Sequence, residues 1–186
     1  MNGSGLSEKD KQILIFSFYR DAELHGARLL FNLLGHLKDA DSQLKLSRHL
    51  ADEVRHAYLW TKRIVDLGGA PVTVTDGYQR RLGARLGVPK SVLDLLALTI
   101  VVEERAQQRY SAHMALPKTD PETKEVLKAV TEDEHWHLSW VERKMREIAR
   151  AQGNEERANE ILNRFREIEK EVYASLAADE AELMRA

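Results

Sequence analysis

Residues 52–56 read Asp52-Glu53-Val54-Arg55-His56, and residues 133–137 read Asp133-Glu134-His135-Trp136-His137. Both are D-E-x-x-H. On a helix, positions i and i+3 share a face about one turn apart, so the Glu and the His of each motif point the same way. Working outward, each motif sits inside a long stretch of helical apolar spacing. One runs from about Asp41 to Leu67 and stops at Gly68-Gly69-Ala70-Pro71; the other runs from Pro121 or Glu122 to Ala151 and stops at Gly153. Ahead of each lies another helical pattern, from Ser7 to about Leu37 and, with Ser91 as N-cap, from there to about Ala115. The turns fall at Lys38–Asp41 and Pro117–Pro121. A fifth helix is expected from about Asn154 to Leu183.

These patterns predict an all-α chain. Residues 7–151 form a four-helix bundle with short first and last turns and one long crossover, and residues 154–183 add a C-terminal helix, within one domain spanning 1–186. Residues 68–90, with Pro71, Gly77, Gly83, Gly87 and Pro89, read as irregular; Val72-Thr73-Val74-Thr75 could be a short strand but has no visible partner. The fifth helix carries Ile161, Phe165, Ile168, Val172 and Leu176 in one stripe, which must cover either the bundle or a second subunit in a homodimer.

A Glu and a His one turn apart can both reach one cation, and oxygen plus imidazole ligands suit iron or manganese. A bundle holding two such ions takes E-x-x-H from two helices and one inward Glu from each of the others. The first helix supplies Glu23, which interrupts a stripe of Phe16, Tyr19, Ala27, Leu30 and Leu34. A lone carboxylate there would be costly without a cation. The third helix offers Glu103 and Glu104. Glu103 shares its face with Leu96, Ile100, Ala106 and Tyr110, whereas Glu104 lies with Gln107, Gln108 and Ser111, so Glu103 is chosen. In the fourth helix, Glu134 and His137 lie with Leu127, Val130, Leu138 and Val141, and are preferred to Glu132 and His135, which lie with Lys128 and Ser139.

The spacing is consistent with one site. Glu23 and Glu53 flank the first turn symmetrically, and Glu103 and Glu134 flank the second, so each antiparallel pair brings its carboxylates level, about 20 Å from the turn. The two halves share this design, as an internal duplication would. Asp52 and Asp133 are candidates to accept the free N–H of the histidine on the opposite motif, or else are solvent-facing acids. Tyr19 and Tyr110 read as inner-face packing residues with the option of hydrogen bonding, and Trp60 and Trp136 as core. His25, His36, His49 and His113 read as surface or satisfied polar residues, and His135 falls on the wrong face.

Composition narrows the class. The 186 residues contain 28 basic and 30 acidic side chains and no cysteine. Disulfides, thiolate metal centres and cysteine nucleophiles are therefore excluded. A net charge of −2 and a pI near 6.4 favour neither nucleic acid nor an anionic membrane. Arg80, Arg81 and Arg85 form a small basic cluster, read as a solvated loop. The apolar run Val92–Val102 contains Asp94 and is too short for the roughly 20 residues of a membrane span. The start Met1-Asn2-Gly3-Ser4-Gly5 lacks a signal-peptide pattern, so a cytoplasmic location is expected by default.

Glu23, Glu53-x-x-His56, Glu103 and Glu134-x-x-His137, over roughly residues 8–150, resemble the six ligands of ferritin-like di-iron carboxylate proteins, the superfamily of ferritins, bacterioferritins, rubrerythrins and demethoxyubiquinone hydroxylases. The full set differs from typical ferritins, whose fourth helix lacks the Glu-x-x-His pair, and the absent cysteines differ from rubrerythrins with a rubredoxin-like domain. The resemblance implies two iron ions, with manganese or a mixed pair as alternatives, neutralising a carboxylate charge of −4. It makes Glu53 and Glu134 bridging ligands, completes one ion with Glu23 and His56 and the other with Glu103 and His137, and gives the four glutamates the catalytic role. It implies an oxidoreductase activating O2 or peroxide. The first expectation is a hydroxylase or oxidase of a small organic substrate with an external electron donor. The second is a ferroxidase or rubrerythrin-like peroxidase handling iron or peroxide.

Overall fold

The computed structural model describes the backbone of residues 6–185 and the side chains of residues 6–178. Met1–Gly5, on which the signal-peptide reading rests, lie outside the described residues. Six helices follow in order: α1 Glu8–Leu34, α2 Ala40–Asp66, α3 Tyr78–Leu86, α4 Val92–Met114, α5 Pro121–Ala151 and α6 Glu155–Arg185. No strand occurs among the described residues, so Val72–Thr75 is not one.

The helix starts are written locally. Ser7, Asp39, Ser91 and Asp120 sit in extended conformation, and each side chain accepts the backbone N–H three residues on, from Asp10, Ser42, Asp94 and Thr123 respectively. Each such cap satisfies one otherwise orphaned donor and contributes about 1 kcal/mol. Pro121 opens α5, where its missing N–H costs nothing. After α2 and α5, Gly68 and Gly153 take positive φ (72° and 63°), which side chains with a Cβ resist, and the chain turns away.

α1 packs along α2 and α4 along α5, and the pairs meet through α1 with α4 and α2 with α5. The interior has two apolar clusters. One gathers Ile13, Phe16, Tyr19, Trp60, Ile64, Tyr110, Leu127 and Val130. The other takes in Leu30, Leu33 and Leu46 with the first half of α4, the second half of α5 and α6. The four glutamates of the sequence motif lie between these clusters along the chain of every bundle helix. α6 covers the bundle itself: Ile161, Phe165, Val172 and Leu176 are buried and Ile168 packs against the same cluster.

The crossover differs from expectation. Residues 78–86 are helical rather than irregular. Tyr78 and Leu82 are buried, and α3 packs on α6 and α1. The basic cluster therefore lies on a helix: Arg81 pairs with Asp76 and Arg85 with Glu171. Among the described residues, no helix is long and apolar enough to cross a membrane.

Candidate metal centre

The six residues singled out in the sequence converge. Glu23, Glu53, His56, Glu103, Glu134 and His137 are each at most 4% exposed. His56 Nδ1 lies 3.6 Å from Glu23 Oε2 and 3.5 Å from Glu134 Oε1. His137 Nδ1 lies 3.6 Å from Glu53 Oε1, 3.6 Å from Glu134 Oε2 and 4.0 Å from Glu103 Oε2. Each imidazole thus faces a carboxylate of its own half and one of the other half, as antiparallel pairs of equal spacing require. Two groups of four have ligand atoms mutually within 4.8 Å: Glu23, Glu53, His56 and Glu134, and His49, Glu53, Glu103 and His137.

The outer contacts fix these rings. His56 Nε2 lies 3.1 Å from Asp133 Oδ2, and His137 Nε2 lies 3.3 Å from Asp52 Oδ2. The acid preceding each motif Glu therefore holds the histidine of the opposite motif. With Nε2–H donating, Nδ1 is left as a lone pair aimed at the carboxylates. Arg55 also pairs with Asp133, closing this contact from outside. Tyr110 donates its hydroxyl to Glu23, so it is more than packing. Gln107 donates to the Glu134 carbonyl at 2.9 Å.

Several alternatives resolve. Glu104 turns outward to Arg166, and Glu132 and His135 are exposed. Tyr19 meets His113 Nδ1 at 3.0 Å. Trp60 is fully buried and Trp136 packs at the edge of the core. Two residues escaped the sequence reading. His49, taken as a surface or satisfied polar residue, is wholly buried in the cluster, its Nε2 2.9 Å from Glu103 Oε1. It stands four residues before Glu53 on the same helix face, a spacing that was available as a signal. Gly26, one turn beyond Glu23, leaves the room Glu53 occupies: a Cβ there would fall 2.3 Å from Glu53 Oε2.

Charge is crowded. Burial, then the Glu103 and Glu23 charges, push Glu53 up to about 8. Burial and Glu103 likewise hold Glu134 well above the usual carboxylate range. Burial opposes ionisation of Glu103 too, but His49, with help from Glu134 and His137, outweighs it and keeps Glu103 well below that range. Burial works against charged His56, yet the neighbouring Glu23 and Glu53 carboxylates raise it to about 9. His137 is lowered to about 4 by burial and by the neighbouring His49.

Besides His49 Nδ1, four atoms of this cluster have no hydrogen-bond partner: His56 Nδ1, His137 Nδ1, Glu53 Oε1 and Glu134 Oε2. Unsatisfied buried polar atoms each cost about 1–3 kcal/mol. A divalent cation would satisfy them together, and the donor set of carboxylate oxygen and imidazole nitrogen fits iron or manganese.

At the cluster lies a cavity of about 20 Å³, lined by all four glutamates together with Tyr19, Tyr78, Gln79 and Tyr110 among others. That is room for about one water-sized molecule. α3 roofs it. Tyr78 donates to Glu169 Oε1 at 3.1 Å, Arg105 Nε donates to the same oxygen at 2.6 Å, and Gln79 donates to the Ala22 carbonyl at 2.9 Å. The crossover is thereby tied to α1, α4 and α6 over the mouth of the site.

Comparison with known proteins bears on the fold. No curated protein matches the chain. Among solved structures, the dodecameric thioferritin of Bacteroides fragilis, a bacterioferritin-related protein, superposes with a TM-score of 0.63 at 20% identity over 78% of this chain and 90% of that one. At that identity the likeness speaks for the fold. The family model of the ferritin-like domain matches residues 42–151, from the start of α2 to the end of α5. The chain belongs to the ferritin-like family.

Proposed function

We propose that this protein handles iron, binding Fe(II) as substrate at a dinuclear site of Glu23, Glu53, His56, Glu103, Glu134 and His137 and oxidising it with O2 or peroxide. The observation that carries the reading is the small size of the space between the four glutamates. About 20 Å³ is room for about one water-sized molecule, whereas pockets for organic ligands run to roughly 300–1,000 Å³. A hydroxylase or oxidase of an organic substrate, with its external donor, finds no comparable support. The likeness to a bacterioferritin-related protein favours iron as the cargo.

When iron is bound, it supplies the electrons that reduce the oxidant. The chain's own groups do the rest. Glu134 lies within 4 Å of both His56 and His137, Glu53 belongs to both groups of four, and these two carboxylates would be shared. Asp52 and Asp133 keep Nε2 of His137 and His56 protonated and turned outward. Tyr110 holds Glu23 through its hydroxyl and lines the cavity. The Tyr78–Glu169–Arg105 hydrogen bonds tie the crossover to α4 and α6 beside the cavity.

The test is anaerobic Fe(II) loading followed by mixing with O2 or with peroxide, while the ferric charge-transfer absorption is recorded. A site for iron as substrate oxidises Fe(II) well beyond two per chain, and each peroxide takes up two electrons. Oxidation that stops at the resident ions, or no uptake at all, would refute the proposal.

The Bacteroides fragilis relative is a dodecamer. We extend self-assembly to this chain. Its support is the apolar surface left open on α1 and α2, where Phe31, Val54, Tyr58 and Val65 are 71%, 52%, 61% and 58% exposed.

A further inference from the structure

The two halves of the site are not equivalent, and the difference is His49. It lies four residues before Glu53, and the corresponding position before Glu134 is Val130, which packs in the apolar core. The duplicated design thus puts an imidazole in one half where the other has an isopropyl group. Terminal carboxylates differ accordingly. Glu23 receives the Tyr110 hydroxyl, whereas Glu103 faces His49.

His49 has the features of a ligand rather than of a buried spacer. Its ring is wholly buried. Its Nε2 lies 2.9 Å from Glu103 Oε1 and 3.5 Å from Glu53 Oε1, and its ring stacks on His137 with centroids 3.6 Å apart and planes at 22°. Its ligand atom falls within 4.8 Å of those of Glu53, Glu103 and His137. The contrast with the other two rings is informative. In His56 and His137, a carboxylate holds Nε2 and the partnerless Nδ1 faces the cluster. In His49 the roles reverse: Nε2 faces the cluster, and Nδ1 is buried with no hydrogen-bond partner. No acceptor or donor at Nδ1 fixes the tautomer, so the ring can carry its proton there and present Nε2 as a lone pair. The Glu103–His49 hydrogen bond is then the metal-free arrangement of two groups that share a cation when one is present.

We propose that His49 is a seventh protein ligand, belonging to the position formed by Glu53, Glu103 and His137, so that one metal position offers two imidazoles and the other only His56. This inference rests on the dinuclear reading above. Nitrogen ligands favour later first-row metals, and carboxylates favour harder ions. The two positions should therefore fill unequally, the bis-imidazole position first with Co(II).

The probe is Co(II) alone, titrated into metal-free full-length protein and followed by proton NMR of the paramagnetic complex, where each bound imidazole gives one shifted, exchangeable N–H resonance. The expected result is three such resonances in the natural protein and two in His49→Val, with the tighter Co(II) step weakened at least about ten-fold in the variant. A second variant, His49→Gln, retains a donor toward Glu103 and similar bulk, and should also show two resonances and the weakened step. Cooperative thermal unfolding of both variants, followed by circular dichroism, establishes that they are folded. Two resonances in the natural protein would overturn the proposal, as would full affinity in His49→Gln, which would make His49 a positioning residue for Glu103. A natural protein that takes up no Co(II) would overturn the dinuclear reading itself, which separates the two failures.

Discussion

Gly26 illustrates how a single missing Cβ shapes the centre. Glycine inside a helix costs roughly 0.5–1 kcal/mol relative to alanine, so α1 is locally weaker for having it. The compensation is space: Glu53 Oε2 occupies the place a Cβ would take, at 2.3 Å. Gly26→Ala is expected to leave a folded protein while displacing Glu53, so that bound metal, measured by elemental analysis, falls below that of the natural chain. Full metal content in the variant would remove this role. The paired acids make a second case. Asp52→Asn or Asp133→Asn loses the charge that orients an imidazole, and metal affinity should drop about 10- to 100-fold, read by competition with a chelating dye. An unchanged affinity would mean that the two aspartates are merely surface acids. At this scale the sequence was informative wherever the apolar face chose between neighbours, as for Glu103 over Glu104 and Glu134 over Glu132. It failed for His49, because what makes that ring part of the site is Glu103, a residue 54 positions away on another helix.

α3 and α6 are the elements that complete the bundle. Tyr78, Leu82 and Leu86 recur every four residues, a helical stripe legible in retrospect between Gly77 and Gly87. Nine residues are fewer than the roughly 12–15 an isolated helix needs. Packing on α6, not propensity, makes this segment helical, which is why the glycine-rich crossover read as irregular. α6 in turn seals α4. Phe165 is 3% exposed and sits in the larger core cluster, away from the carboxylates. Phe165→Ala should therefore cost about 3–5 kcal/mol of stability, seen as a lower denaturation midpoint, with metal stoichiometry preserved. Loss of metal without loss of stability would contradict that division of labour.

Across the whole molecule, the crowded charges make stability of the metal-free chain depend on pH. Glu53 titrates at about 8 when folded against 4.5 for a free side chain, so between those values the folded chain keeps a proton that the unfolded chain has lost. Raising pH through that window destabilises the fold. His49 and His56 are raised to about 9 from 6.5, so the stability they add below pH 6.5 is lost as pH climbs through 9. His137, lowered to about 4, acts only below 6.5, where falling pH costs stability. Between pH 6.5 and 8 the contributions of Glu53, His49 and His56 all run downward, and from 8 to 9 those of the two histidines continue to do so. The melting temperature of metal-free protein should fall across that range, and divalent metal should largely abolish the fall, because it replaces the protons that balance the carboxylates. A metal-free melting curve that is flat from pH 6.5 to 9 would sink this account. The open apolar surface on α1 and α2 predicts a mass in solution above the 21.3 kDa of one chain, measurable by light scattering; a monomer would refute it.

The amino-acid sequence by itself determined the bundle, the four helix starts and the six converging side chains. Each depends on short-range rules: caps, a period of 3.6 residues, and equal distances from a turn. The tertiary structure alone decided that His49 joins the cluster, that the crossover folds into a roof, that the cavity holds about one small molecule, and which carboxylates keep their protons. Those properties are set by distances between atoms on different helices; the spacing of His49 before Glu53 and the Tyr78, Leu82 and Leu86 stripe are local hints that only packing turns into a site and a roof.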